Sequence, residues 1–195
     1  MKPKLSKAGL VLALALAVGA QAQETTLALD SDKSTVSFTL EATLHTVHGT
    51  FRVKKGVIRF DPSSGAASGT IVVDGTSGES GNKRRDRTMR RDILQSELYP
   101  EITFTPTRVA GTFLPQGESS VQVEGVLRLQ GTDHAITLPF KVQASAGELR
   151  ATTQFTVPYI AWGFKNPSTF LLRVAHQVEL SIVASGKLTI AAPQR

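Results

Sequence analysis

The chain of 195 residues has no cysteine. That excludes disulfides, thiol nucleophiles, zinc–thiolate centres and a lipid-modified N-terminal cysteine. Aromatic residues make up 6% of the sequence, with a single tryptophan, Trp162. Its basic residues are therefore not interleaved with the aromatics that nucleic-acid surfaces use, and nucleic acid is not expected as a partner. The four histidines are scattered. His45 and His48 stand at an odd offset, which on a strand sends the two rings to opposite faces, so no metal site is expected. No nucleophile elbow or paired-acid motif occurs, and Asp133-His134 falls in a turn without a pocket. The sequence reads as a non-enzyme without a cofactor.

Long apolar runs are also scarce. The one at the N-terminus, Ala8 to Ala20, has 13 residues, short of the roughly 20 that span a bilayer. Lys2, Lys4 and Lys7 precede it and Ala20-Gln21-Ala22 follows it. A positive segment, a short apolar segment and small residues at the end form an export signal. Cleavage is expected after Ala22, leaving one domain over residues 23–195. Losing three lysines and no acid lowers the net charge from +6 to +3. Without disulfides, that domain must stand on its own core, and its size allows one.

What is abundant is alternation. Val36, Phe38 and Leu40 alternate with polar residues, as do Val121, Val123, Leu127 and Leu129. Ile136, Leu138, Phe140 and Val142 repeat the pattern, and Leu149, Ala151, Phe155 and Val157 follow. Phe170, Leu172, Val174, Val178, Leu180 and Ile182 form the longest series. Period-two patterning with one apolar face marks antiparallel sheet wetted on one side. Eight strands are expected, near 34–41, 49–60, 66–75, 101–110, 119–130, 134–143, 148–158 and 170–184. Their length and mostly short turns favour an all-β, up-and-down, lipocalin-like barrel over a two-sheet sandwich.

One helical segment is expected between the third and fourth strands, near 82–98. Asn82 is its N-cap. Met89 and Ile93 share the inward face, with Arg85 and Asp86 beside it. Arg84, Arg87 and Arg91 fall roughly opposite. The basic cluster Lys83, Arg84, Arg85, Arg87, Arg90 and Arg91 reads first as a solvated face. Its functional reading is a collar for a lipid phosphate or an anionic membrane surface.

Three blocks in this order carry a resemblance. His48-Gly49-Thr50-Phe51 comes first. Arg85-Asp86, Met89, Ile93-Leu94 and Tyr99-Pro100-Glu101-Ile102-Thr103-Phe104 come second. Gly125 to Gly131 followed by Ile136-Thr137-Leu138 comes last. Together, from about Ser34 to Gly186, the chain resembles the YceI-like family of periplasmic polyisoprenoid-binding barrels. Ordinary lipocalins match less well, since they carry Gly-x-Trp near the first strand and the tryptophan here is near the last. The resemblance implies a periplasmic location and a lipocalin-like barrel with a long prenyl chain, an isoprenoid lipid, in its lumen. The segment Pro158 to Ser168 departs from the usual short link between the last two strands and could narrow one mouth.

Each strand has one apolar parity, and a closed barrel offers one dry place where the parities meet. That places Val36, Phe38, Leu40, Phe104, Leu127, Leu129, Ile136, Leu138, Phe140, Phe155, Val174, Val178 and Leu180 in the lumen. Ala151 is a small residue on the same parity. His176, between Val174 and Val178, is either a satisfied core histidine or a polar contact for a ligand. Trp162 and Tyr159 form either a plug over the barrel end or a gate that touches the ligand. Parity is satisfied equally by a cavity, which suits a carrier of isoprenoid or other long apolar lipid, and by a packed core. The packed core suits a secreted stress-response or interaction barrel without cargo. The pattern is compatible with a monomer or a homodimer.

Overall fold

Alternation in this chain becomes a sheet that closes on itself. The computed structural model describes residues 24–43, 45–170 and 172–191; the expected signal, 1–22, lies outside the described residues. Nine strands run in chain order: β1 (Thr25–Leu29), β2 (Thr35–Glu41), β3 (Thr46–Phe60), β4 (Ala67–Asp74), β5 (Glu101–Ala110), β6 (Gly117–Leu129), β7 (Thr132–Ser145), β8 (Glu148–Val157) and β9 (Val178–Ile190). From β3 to β9 each strand pairs antiparallel with the next. β1 and β2 share the remaining position. β1 lies between the C-terminal halves of β3 and β9, and β2 between their N-terminal halves. Nine strands thus fill eight places, and the up-and-down barrel is closed.

The break between β1 and β2 is a short 3₁₀ turn, Ser31–Lys33, capped by the Asp30 side chain. Ser34 repairs the ladder there. Its hydroxyl donates to the Asp30 carbonyl at 2.7 Å and accepts from the Ser185 N–H at 3.1 Å. Two bulges change which parity faces inward. In β3, Val47 and Val53 are buried before the bulge at Val53/Lys55, and Phe60 after it. In β5, the register shifts between Pro106 and Arg108, so that Phe104 and Val109 both line the interior. A bulge admits one extra residue and bends the strand; here it also turns the barrel wall.

Two tight turns close hairpins with positive φ at both central residues, Gln130-Gly131 and Ala146-Gly147, the geometry that matches strand twist. The long connections lie together at one end. One joins β4 to β5 and holds α1 (Lys83–Thr88), which continues into a single π-turn over Met89–Ile93. The other is residues 158–177, between β8 and β9.

The last strand departs from expectation. It begins at Val178, not near 170. Pro158 has no N–H with which to extend the β8 ladder, and the final β8–β9 pair is Val157 with Val178. Among the described residues of the expected earlier portion, only Val174 makes a bridge, to Ala42. β1 was not expected.

Candidate functional site

The inward faces do not meet. They surround a cavity of about 690 Å³ lined by residues of every strand, within the ~300–1,000 Å³ range of small-molecule sites. The lumen is therefore not the packed core that parity alone also allowed. At one end the wall narrows onto the cluster of Leu27, Val121, Val142, Leu149 and Ala151. The rings of Phe60 and Phe113, edge to face at 5.0 Å, cross that end. At the other end the cavity reaches solvent. Every lining residue that is itself exposed, namely His45, Asn82, Arg84, Thr88 and Thr169, sits there. Apolar surface inside and polar groups at one mouth suit a ligand with a long apolar body.

The helix at this mouth is held by a network around Ser80. Asn82 caps α1, its Oδ1 accepting from the N–H groups of Arg84 and Arg85, each at 3.1 Å. Arg85 donates from Nε to the Ser80 hydroxyl at 2.8 Å and from its terminal nitrogen to the Ser80 carbonyl at 2.7 Å. The Ser80 hydroxyl in turn donates to Asp86, whose Oδ1 also accepts from the Ser80 N–H at 2.9 Å. Asp86 is buried. The neighbouring Glu79 is itself bonded to β3, backbone to backbone, through Thr50. Arg85 and Asp86 thus tie the helix to the barrel, the structural role expected of them.

Arg84 is placed differently from the helical wheel. It is exposed, yet it lines the mouth together with Thr88 one turn on. Ordinary helical spacing accounts for this: Arg84 and Thr88, like Arg85 and Met89, are i,i+4 pairs, and all four line the cavity, so the inward face is centred between Arg84 and Met89. The π-turn begins only at Met89, marked by the Leu94 N–H bonded to the Met89 carbonyl at 2.8 Å, and its wider turn brings Ile93 round to the same side. Arg84→Ala should still cost at most ~0.5 kcal/mol, since no partner is lost. Arg85→Ala should cost about 2 kcal/mol, because two charge-assisted bonds go and Asp86 stays buried. Thermal melts should show a drop of roughly 4–8 °C for Arg85→Ala alone; equal drops would contradict this assignment.

The connection 158–177 covers part of the same mouth. Tyr159 and Phe164 are buried and line the cavity. The Tyr159 hydroxyl donates to the Ala175 carbonyl at 2.6 Å, and burial pushes its phenol above the usual range. Trp162 does not line the cavity. Its ring lies flat on His134, centroids 3.8 Å apart and planes within 8°, and packs against the buried rim cluster that includes Tyr159 and Phe164. The Gly163 N–H bonded to the Ile160 carbonyl closes a turn, and beyond it Phe164, not Trp162, is the aromatic that turns inward.

Of the fifteen residues expected to face a ligand, thirteen line the cavity; Trp162 and His176 do not. His176 is exposed. It precedes β9, so the even register of that strand does not reach it. His45 lies at the mouth, whereas His48 is on the outer face, its Nδ1 3.1 Å from the Thr39 hydroxyl. Phe60, Phe113 and Phe164 were not among those expected; Tyr159 was expected only as a plug or a gate, and Arg84 only within the basic collar.

The chain matches the family model described as YceI-like domain over residues 27–186. It is 31% identical over 141 residues to a UPF0312 protein of Vibrio parahaemolyticus, covering 71% of this chain and 72% of that one. A UPF0312 protein of Vibrio campbellii is 30% identical over the same shares. Among solved structures, BcnA of Burkholderia cenocepacia superposes with a TM-score of 0.66 at 20% identity, over 82% of this chain and 99% of that one. A polyisoprenoid binding domain from Saccharophagus degradans, implicated in plant cell wall breakdown, gives 0.61 at 18% identity, over 84% and 98%. These two likenesses concern the fold. With a closed barrel, a mouth helix held by Arg85 and Asp86, and a match across most of its length, the chain belongs to the YceI-like family.

Proposed function

We propose that this protein is an exported carrier that holds one long apolar lipid, of the polyisoprenoid class, in its barrel, and that it works in the periplasm. The observation that carries this reading is the cavity. Apart from Ser34, whose hydroxyl is bonded to the backbone, it is apolar from the Phe60–Phe113 end to the rim, and its polar lining is concentrated at the mouth. A prenyl chain fits that division, with its polar head left beside Arg84 and His45. Each CH₂ taken fully out of water contributes ~0.8 kcal/mol before ordering costs, so affinity should grow with chain length. The polyisoprenoid binding domain of Saccharophagus degradans, which shares the fold, supports the choice of lipid class. The open lumen counts against the alternative of a filled barrel acting only as an interaction protein.

Titrating delipidated protein with polyprenols of increasing length tests the reading. One bound chain per barrel is expected, with a melting temperature that rises with chain length. A cavity that takes up no polyprenol of any length would refute it.

A further inference from the structure

We propose that the mouth end docks on an anionic phospholipid bilayer, with the Phe170 side chain entering the interface. Phe170 is 96% exposed, and Leu98, the next most exposed large hydrophobic among the described residues, is 73% exposed. Both lie on the long connections at the mouth. Such side chains in water serve no folding purpose.

Hydrogen bonds flank Phe170. It sits in a turn closed by the Thr169 N–H bonded to the Leu172 carbonyl at 2.8 Å and the Leu172 N–H bonded to the Thr169 hydroxyl at 3.1 Å. Below the turn, three hydrogen bonds join Thr43 and Arg173, and Ala42 bridges Val174. Phe170 presents its ring to solvent, while Thr169 and Leu172 on either side of it line the cavity mouth. Inserting the tip would therefore bring the open end of the cavity against the membrane.

Charge supplies the second argument. The connections 75–100 and 158–177 hold eight Lys and Arg against four Asp and Glu. Asp86 is buried on Ser80 and Asp92 is paired with Arg91 at 2.8 Å, which leaves Glu79 and Glu97. Lys83, Arg84, Arg87, Lys165 and Arg173 form no salt bridge among the described residues. At the closed end, the connections 61–66, 111–116 and 146–147 hold no Lys or Arg and one acid, Asp61. Cations around isolated apolar tips match an anionic interface, where Lys and Arg reach headgroups and the tips enter the acyl boundary. A protein partner of ordinary affinity would need roughly 800 Å² of complementary surface per side, and isolated tips do not provide a continuous apolar face.

The inference goes beyond the carrier reading and is testable apart from it. The absence of native cysteine allows single labels. Phe170→Cys and, at the closed end, Gln116→Cys would carry an environment-sensitive fluorophore on protein that begins at Gln23 and contains the whole barrel. With vesicles of phosphatidylethanolamine and phosphatidylglycerol, the label at 170 should shift to the blue and the label at 116 should not. High salt should weaken the effect, and phosphatidylcholine vesicles should give little. In co-sedimentation, Phe170→Ser should bind about tenfold more weakly or worse, and so should the double variant Lys83→Glu with Arg87→Glu. Both should keep any lipid in the lumen, because none of these three side chains lines it. No association with anionic vesicles, equal association with phosphatidylcholine, or a response led by position 116 would overturn the proposal. An empty lumen with intact vesicle binding would instead count against the carrier reading alone.

Discussion

Gly49→Val is expected to lower the melting temperature by roughly 6–12 °C, corresponding to about 3 kcal/mol of overpacking. Gly49 stands opposite Phe38 in the β2–β3 ladder. A Cβ on Gly49 would lie 2.3 Å from the Phe38 ring and 2.4 Å from the Glu79 carbonyl oxygen. Neither neighbour is at liberty to move. The Phe38 ring packs on Phe51 with centroids 5.6 Å apart. Glu79 exchanges backbone hydrogen bonds with Thr50, at 2.8 and 3.0 Å, and leads directly into the Ser80 network that fixes the mouth helix. The clash would thus loosen both the barrel wall and the helix. Urea or thermal unfolding of the variant measures the loss; wild-type stability would mean that the Thr50–Glu79 bridge is not a fixed part of the fold.

Ala151→Phe is expected to separate binding from folding. Ala151 is buried and lines the narrow end of the cavity. A phenyl ring there has about 690 Å³ of open lumen beside it, so stability should change by less than ~1 kcal/mol, whereas a packed core would lose ~1–3 kcal/mol. The ring would occupy space that a bound chain needs. Excluding even two buried CH₂ groups costs ~1.6 kcal/mol, more than tenfold in affinity. Polyprenol titration and thermal melts on the same preparation read the two effects. A destabilised variant with unchanged lipid affinity would place the ligand elsewhere.

The barrel and most of its lining were legible in the sequence because strands β6 to β8 keep one parity throughout, as in Val121, Val123, Leu127 and Leu129. Where parity fails, so did the reading. β3 changes its inward parity at the bulge beside Lys54 and Lys55, so Val47 and Phe60 cannot belong to one alternating series. β1 is five residues long, and its Leu27 and Leu29 make only two turns of the pattern. Its place depends on β3 and β9, which are distant in the chain. His176 fails for the opposite reason. The even series runs on past the point where a partner strand exists, and periodicity carries no information about pairing. The Arg85–Ser80–Asp86 network was anticipated only in its charged members, since nothing local marks Ser80 as the group between them.

The carrier account is tested most directly by native mass spectrometry of the protein taken from the periplasm of producing bacteria. The account predicts a polypeptide that begins at Gln23 and carries one apolar adduct, which organic extraction releases as a polyisoprenoid. Ala151→Phe, made in parallel, should appear without it. Wild-type barrel that is folded, exported and repeatedly free of any adduct would contradict the account.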